Sequence, residues 1–237
     1  MHKIVSDEPF EVGTSMNKPN QTLLPKEVFD SLAILNRGSE SVRAVLMAED
    51  NRFSRALEDL QRLAIQEKIP IAIVGGLGAI RYGYPAATQD IDIAVAQNQL
   101  AKLILSAHLY GFKILWESLS GWHTLTHGEV EIIIVPEGGK ALKTAPTCIP
   151  SPQILGVQQG LDYALLPGWM ELKISSGRQK DRAHVVEVMK KTDESSLTMV
   201  RSHLVSVHQN YVQIFDQLYE DAKAEIDQEN ERDASPV

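Results

Sequence analysis

Two aspartates that are separated by one residue are the side chains best suited to chemistry. Asp90 and Asp92 lie in the segment 90–95, where three aliphatic residues alternate with them. Successive side chains of a strand point to opposite faces, so the two carboxylates share one face. Two adjacent carboxylates repel each other and are costly to desolvate, and a divalent cation compensates for both effects. Magnesium is commonly held by one or two carboxylates plus substrate phosphates. The pair therefore predicts a Mg²⁺ site, with Mn²⁺ as an alternative.

A pair of glycines precedes these acids. The apolar run from Ile71 to Val74 predicts a buried strand, Gly75 and Gly76 interrupt it, and a helix is predicted from Leu77 to Tyr82. Glycine permits close approach of the backbone, and the start of a helix offers free N–H groups to an anion. A phosphate cradle beside a metal pair is what phosphoryl chemistry requires. Alone, a D-x-D pair is usually solvated and a Gly-Gly pair is usually a turn. Their combination in strand–glycine–helix–strand order favours a function.

A third acid is a candidate partner of the pair. Glu131 lies within the apolar run 129–135 and alternates with Ile132 and Ile134. It is a candidate third metal ligand, or the base that deprotonates an attacking hydroxyl. The alternative is a solvent-exposed strand face on which Glu131 is an ordinary surface residue.

Charge and composition restrict the possible partners. The 237 residues carry a net charge of −8, and 43% of them are hydrophobic, as expected of a globular protein with a sizeable core. Residues 219–237 hold seven acids and two bases, whereas residues 173–191 hold six bases and two acids. A general nucleic-acid footprint is therefore absent, and the basic segment suits a phosphate-bearing ligand. The single cysteine, Cys148, excludes an internal disulfide and a cysteine-rich zinc site.

The expected setting is a reducing cytoplasm, with no membrane partner. No apolar stretch approaches the roughly 20 residues that a spanning helix needs, and Met1-His2-Lys3 leads into a segment of mixed polarity.

The periodicities predict an α+β fold, with a mixed β-sheet flanked by helices and followed by a C-terminal helical region. Residues 1–24 are predicted to be a mobile arm, 25–150 an α/β core, and 151–237 a mainly helical region with an acidic tail. Further strands are predicted at 112–116, 122–126 and 129–135. Helices are predicted at 25–35, 41–67, 100–107, 168–176, 180–191, 195–208 and beyond 210.

Two blocks of sequence resemble a known superfamily. The first is Val74-Gly75-Gly76, then Tyr82-Gly83, then the run from Thr88 to Ile93; it resembles the active-site motif of nucleotidyltransferases. The second is the run 171–174 followed by 177–181, which resembles the downstream helix pair of the AbiEii-type toxin nucleotidyltransferases and their uncharacterised bacterial relatives. Together the blocks cover roughly residues 70 to 191.

The resemblance implies a role for each matched residue and a nucleotidyltransferase-type fold. Asp90 and Asp92 would bind magnesium, with Glu131 where the third acid of such proteins is usually an aspartate. Gly75, Gly76 and Thr88 belong to the block that would hold the nucleoside triphosphate. In the second block, three bases would neutralise phosphates and an acid would orient them: Lys173, Arg178, Lys180 and Asp181.

The implied reaction is magnesium-dependent transfer of a nucleotidyl group from an NTP to a hydroxyl. The toxin branch implies an acceptor such as an RNA or tRNA end or a protein hydroxyl, and a possible antitoxin partner. The scarcity of positive charge keeps a small acceptor, such as an antibiotic, as an alternative. A catalytically inactive protein that binds a nucleotide or a partner is the alternative from another class.

Overall fold

The computed structural model describes residues 52–86, 88–117 and 122–234. The predicted arm at 1–24, the predicted helix at 25–35 and the first part of the helix at 41–67 lie outside the described residues. Within these ranges the chain has the α+β architecture that the sequence predicts, with a mixed sheet, flanking helices and a helical C-terminal region.

Helices and strands alternate in the first part of the described chain, and its last part is mainly helical. Among the described residues, a short 3₁₀ turn lies at His108–Tyr110. The strands are β1 (Ile71–Ile73), β2 (Asp90–Val95), β3 (Lys113–Glu117), β4 (His123–His127), β5 (Val130–Pro136) and β6 (Leu161–Tyr163). The helices are α1 (Arg52–Gln66), α2 (Gly75–Arg81), α3 (Gln97–Ala107), α4 (Leu166–Ser176), α5 (Gln179–Met189), α6 (Glu194–Val207) and α7 (Gln209–Ala234).

The sheet has the strand order β3-β4-β5-β2-β1-β6. The pairs β2–β5 and β1–β6 are parallel, whereas β1–β2, β3–β4 and β4–β5 are antiparallel. Strand β6 lies beyond the predicted boundary at residue 150 and still completes one edge of the sheet. The proposed division of the chain at 150 stays a prediction.

One face of the sheet is the centre of the hydrophobic core. Ile91, Ile93, Ile132 and Ile134 on the two central strands have no exposed surface. Leu125 on β4 pairs with Ile132 and is equally buried. Burial of branched aliphatic side chains in this way contributes roughly 1.5–3 kcal/mol each to folding. The same alternation directs Asp90 and Asp92 to the opposite face.

The C-terminal helices pack on that opposite side through α2. Helix α2 contacts β2, α4 and α5, and helices α4 to α7 contact one another. Lys190, just after α5, donates hydrogen bonds to Glu225 and Glu229 of α7 and thereby ties the long last helix to the group. No helix in the part of the chain that the structure describes is both long and apolar enough to span a membrane.

Candidate active site

The register of the two central strands brings the predicted acids together. In the parallel pair β2–β5, Asp90 lies opposite Glu131, and Asp92 lies opposite Ile133. Paired residues of adjacent strands point to the same face, and neighbouring strands lie about 4.8 Å apart. Asp90, Asp92 and Glu131 are therefore on one face of the sheet, and Glu131 is the most exposed of the three. Thr88 donates a hydrogen bond to the Asp90 carboxylate at 2.9 Å.

Asp92 is a half-buried carboxylate on the site face of β2. Burial, followed by the charge of Asp90, raises the pKa of Asp92 to about 6. The positive charges of Lys173 and Arg178 offset this only in part. The carboxylate keeps some access to solvent, so a cation that enters the cavity could occupy its lone pairs.

The glycine turn packs directly on this carboxylate. Gly75 has a φ of +64°, and a Cβ placed there would lie 1.8 Å from Oδ2 of Asp92. A Cβ at Gly76 would lie 2.7 Å from Oγ1 of Thr88. Any larger residue at either position would displace the side chains that surround the acids, which explains the glycine pair in terms of close packing. The predicted helix begins at Gly75 itself rather than at Leu77.

A buried ionic cluster faces the acids from the helical region. Asp181 of α5 accepts hydrogen bonds from the Nζ of Lys173, the Oγ of Ser176 and the Nε of Arg178, each at 2.6 Å. The side chains of Lys173 and Asp181 are 7% and 2% exposed, whereas that of Arg178 is 74% exposed. Asp181 therefore contacts both bases, and its orienting role toward a nucleotide stays a prediction. Two bases and one acid leave the cluster with a net positive charge.

Residues of the sheet and of the ionic cluster line one cavity of about 310 Å³. Gly75 and Asp92 form its wall on the sheet side, and Lys173, Arg178 and Asp181 form its wall on the helix side. Between the charged walls the lining is apolar and aromatic, with contributions from Trp122, Ile133, Val135, Ile149 and Leu172. The cavity thus combines carboxylates, a cationic group and apolar surface, the composition of a small-molecule site.

A larger groove of about 630 Å³ lies elsewhere, between α6 and α7. Its main ionic groups, Arg201 and Asp216, are both about half exposed and bind each other through two hydrogen bonds. Because those groups satisfy each other, we place the functional site in the smaller cavity.

Five of the predicted residues lie outside the cavity lining: Gly76, Thr88, Asp90, Glu131 and Lys180. Lys180 is exposed on α5. Thr88 instead supports Asp90 and packs on Gly76.

His184 of α5 is buried, and burial, with the nearby charge of Lys173, lowers its pKa to about 4. His184 is therefore neutral at pH 7 and adds no positive charge to the site.

Sequence reasoning missed three residues that shape the cavity. Trp122 lines it, Ser176 donates to Asp181, and Trp169 donates its indole N–H to the carbonyl oxygen of Gly75 at 3.1 Å. A signal for Trp169 was available, because it precedes Lys173 by four residues and so shares a helix face with it. Trp122 and Ser176 carried no comparable signal.

The residues present fit a divalent metal through two carboxylates. The donor set is hard oxygen, and the Asp92 carboxylate is open to a positive partner from the cavity that it lines. Within the described ranges, no three His, Cys, Asp or Glu side chains converge tightly enough to form a complete metal site. Two protein carboxylates are nevertheless what Mg²⁺ uses when phosphate oxygens and water complete its coordination. Participation of Glu131 stays a prediction.

Comparisons with known proteins do not by themselves assign a function to this chain. The sequence matches no protein family, and no curated protein matches it. A solution structure of the antibiotic-resistance factor ANT(2'')-Ia is similar at 11% identity, with 76% of this chain and 98% of that chain covered and a TM-score of 0.40. A crystal structure of ANT(2'')-Ia in complex with adenylyl-2''-tobramycin is similar at 12% identity, with 71% and 98% covered and a TM-score of 0.35. Both TM-scores lie below 0.5, so neither likeness decides the family, the reaction or the substrate of this chain.

Proposed function

We propose that this protein is a magnesium-dependent nucleotidyltransferase that moves a nucleotidyl group from an NTP to a hydroxyl acceptor. The observation that supports this most strongly is the cavity in which the Asp92 carboxylate faces the cluster of Lys173, Arg178 and Asp181. Mn²⁺ would serve as an alternative metal. The assignment agrees with the nucleotidyltransferase-like sequence blocks, whose residues form both walls of the cavity.

The electrostatic balance of the cavity supports a metal–triphosphate complex rather than either component alone. Asp90 and Asp92 would repel a free triphosphate, and the net positive charge of the ionic cluster is too small to offset its several negative charges. A bound Mg²⁺ would supply the neutralising charge and polarise the α-phosphate. Arg178, exposed beside the buried Lys173, would then donate charge-assisted hydrogen bonds to the terminal phosphates.

The apolar part of the cavity supports a nucleoside as the other half of the ligand. Trp122 and Leu172 offer flat, apolar surface between the charged walls. A base placed there would put its phosphates between Asp92 and Arg178. The volume of about 310 Å³ is at the low end of the range for small-molecule sites.

The chemical step follows from this placement. The acceptor hydroxyl attacks the α-phosphorus, a new P–O bond forms, the bond from the α-phosphorus to the bridging oxygen breaks, and pyrophosphate leaves. Asp90 and Asp92 would hold the metal, which would supply charge stabilisation to the reacting phosphate, and the cationic cluster would hold the leaving pyrophosphate. Glu131, exposed on the same face, would accept the proton of the hydroxyl.

The role of Glu131 has a direct test. Glu131→Gln keeps the size of the side chain but cannot accept a proton, so the transfer rate should fall by about 10² to 10⁴. NTP affinity should change much less, because Asp90 and Asp92 still hold the metal. Single-turnover rates and equilibrium binding measure the two quantities separately. Unchanged rate and affinity would make Glu131 an ordinary surface residue.

A small hydroxyl-bearing molecule is the second candidate acceptor, after an RNA end or a protein hydroxyl. The acids Asp90 and Glu131 lie opposite each other on neighbouring strands, on the sheet face that also carries Asp92, and the chain carries a net charge of −8. Both features disfavour a long polyanion. The AbiEii-like toxin role and an antitoxin partner belong to the RNA and protein alternatives, and cytoplasmic activity would suit all of them.

The transfer reaction is tested with four α-labelled NTPs and Mg²⁺, offered total RNA in one arm and a low-molecular-weight cell extract in the other. We expect labelled product in one arm with the wild type and none with Asp92→Ala. Label on RNA would select the toxin-like reading, and label on a small product the second candidate. Specific NTP binding without product in either arm would favour the inactive nucleotide-binding protein.

A further inference from the structure

A buried tryptophan connects the two halves of the site. Trp169 of α4 has no exposed surface, and its Nε1–H donates to the carbonyl oxygen of Gly75 at 3.1 Å. Gly75 is the residue whose backbone packs on the Asp92 carboxylate. The Trp169 indole thus connects helix α4 to the turn at Gly75, which contacts Asp92.

The surroundings of the indole fix its position. A Cβ at Gly78 would lie 2.4 Å from Cδ1 and Nε1 of Trp169, so only a glycine admits the ring there. The ring of Tyr82 packs against it with centroids 5.7 Å apart, and the Nζ of Lys173 lies 5.7 Å from the ring centroid. The ring cannot turn without displacing one of these neighbours, because interiors are close-packed.

The geometry points to Trp169 as a positioning residue for Asp92, acting through the Gly75 carbonyl, an inference that rests on the proposed metal–nucleotide function. Gly75 has a left-handed φ and no side chain of its own, so neighbouring groups must fix its peptide plane. The indole N–H supplies that constraint from one side. The Asp92 side chain packs on the other side, and the backbone N–H of Val74 donates to the carbonyl oxygen of Asp92 at 2.9 Å. Loss of the indole N–H would free the turn and allow the Asp92 carboxylate to leave the orientation needed by the metal.

The alternative is that Trp169 only fills the core. A pair of variants separates the two readings, because Tyr82 is also an aromatic residue that donates one hydrogen bond to a backbone carbonyl, that of Ala164 at 2.5 Å. Trp169→Phe removes the donor to Gly75, and Tyr82→Phe removes the donor to Ala164. Tyr82 lies beside Trp169 but does not line the cavity.

A second pair of variants leaves the indole present. Gly78→Ala would push Trp169 away from Gly75, whereas Gly168→Ala adds the same methyl group one residue before Trp169 and meets the flexible end of Leu155 at 2.6 Å. This pair keeps the inference testable if Trp169→Phe does not fold.

The experiment measures the affinity of the full chain for Mn²⁺ in the presence of ATP by electron paramagnetic resonance, together with the melting temperature of each variant. We expect Trp169→Phe and Gly78→Ala to weaken Mn²⁺ binding about tenfold or more, and Tyr82→Phe and Gly168→Ala to keep it within about twofold at comparable losses of melting temperature. Equal affinities in all four variants, or affinity losses that simply follow the melting temperature, would overturn the positioning role. A wild type that binds neither Mn²⁺ nor ATP would overturn the proposed function itself, and this inference with it.

Discussion

At the scale of single residues, Arg178 and Lys180 show whether a base of this segment binds phosphate directly or only adds positive charge near the site. Arg178 lines the cavity, whereas Lys180 is exposed on α5 outside it. Arg178→Ala should weaken Mg²⁺–ATP binding about tenfold and AMP binding much less, because it loses a charge-assisted contact to the outer phosphates. Lys180→Ala removes the same charge and should change both affinities by less than about twofold. Calorimetric titrations measure both; equal effects of the two variants would assign the segment a general electrostatic role.

Asp92 itself makes the metal-free protein sensitive to pH. Its pKa is raised from 3.8 to about 6, so the folded state binds the proton more tightly than the unfolded state does. Stability should therefore fall as pH rises from about 4 to 6, and this loss should persist at neutral pH. Asp92→Asn removes the penalty and should raise the unfolding free energy at pH 7 by up to about 3 kcal/mol without metal, with no gain below pH 4. Urea unfolding across pH 3.5–7.5 measures this.

The control for this titration is Asp227→Asn. Asp227 is exposed on α7, so its substitution should leave the unfolding free energy unchanged across the same range. A neutral or destabilising effect of Asp92→Asn at pH 7 would contradict the burial and repulsion ascribed to this carboxylate.

At the scale of elements, the turn between β1 and α2 is tightly packed against the acids. Gly75 and Gly128 have similar φ values, +64° and +60°, but a Cβ at Gly128 meets nothing within 4 Å. Alanine at either position should cost about 1 kcal/mol of backbone strain. Gly75→Ala should in addition displace the Asp92 carboxylate and reduce Mg²⁺–ATP affinity at least tenfold. Urea unfolding and calorimetry would show this difference; wild-type affinity in Gly75→Ala would mean that the turn does not position the acid.

Much of this arrangement of elements could be predicted from local sequence. The alternation from Asp90 to Val95 fixed a strand and the face of both acids, and the structure confirms the strand. The apolar run around Glu131 likewise predicted β5. The parallel pairing of β2 with β5 could only be supposed, because register depends on contacts between segments some 40 residues apart.

The details that could not be predicted from local sequence are tertiary contacts between distant segments. Nothing in the spacing of bases between Lys173 and Lys191 indicates that Lys173 and Arg178 share Asp181 while Lys180 faces outward. The contact between Trp169 and Gly75 joins residues 94 positions apart. Such contacts are set by the packing of helices on the sheet, and the periodicity of each segment carries no information about them.

At the scale of the whole molecule, the site exists only where the sheet and the C-terminal helices meet. The acids lie on β2, near the sheet centre, and the cationic cluster comes from the α4–α5 pair some 80 residues later. Helix α2 contacts both parts, and Lys190 ties α5 to the last helix. The function we propose therefore depends on the packing of the helical region against the sheet, and neither part alone presents opposed carboxylates and bases.

The central claim is that two carboxylates and this helix pair bind a metal–nucleotide complex, and isothermal titration of ATP with and without Mg²⁺ tests it most directly. The wild type should bind ATP with Mg²⁺ at least tenfold more tightly than without it. Asp90→Asn and Asp92→Asn should each abolish this dependence while the protein stays folded by circular dichroism. Wild-type ATP binding that is indifferent to Mg²⁺, or variants that retain the full Mg²⁺ effect, would contradict the account.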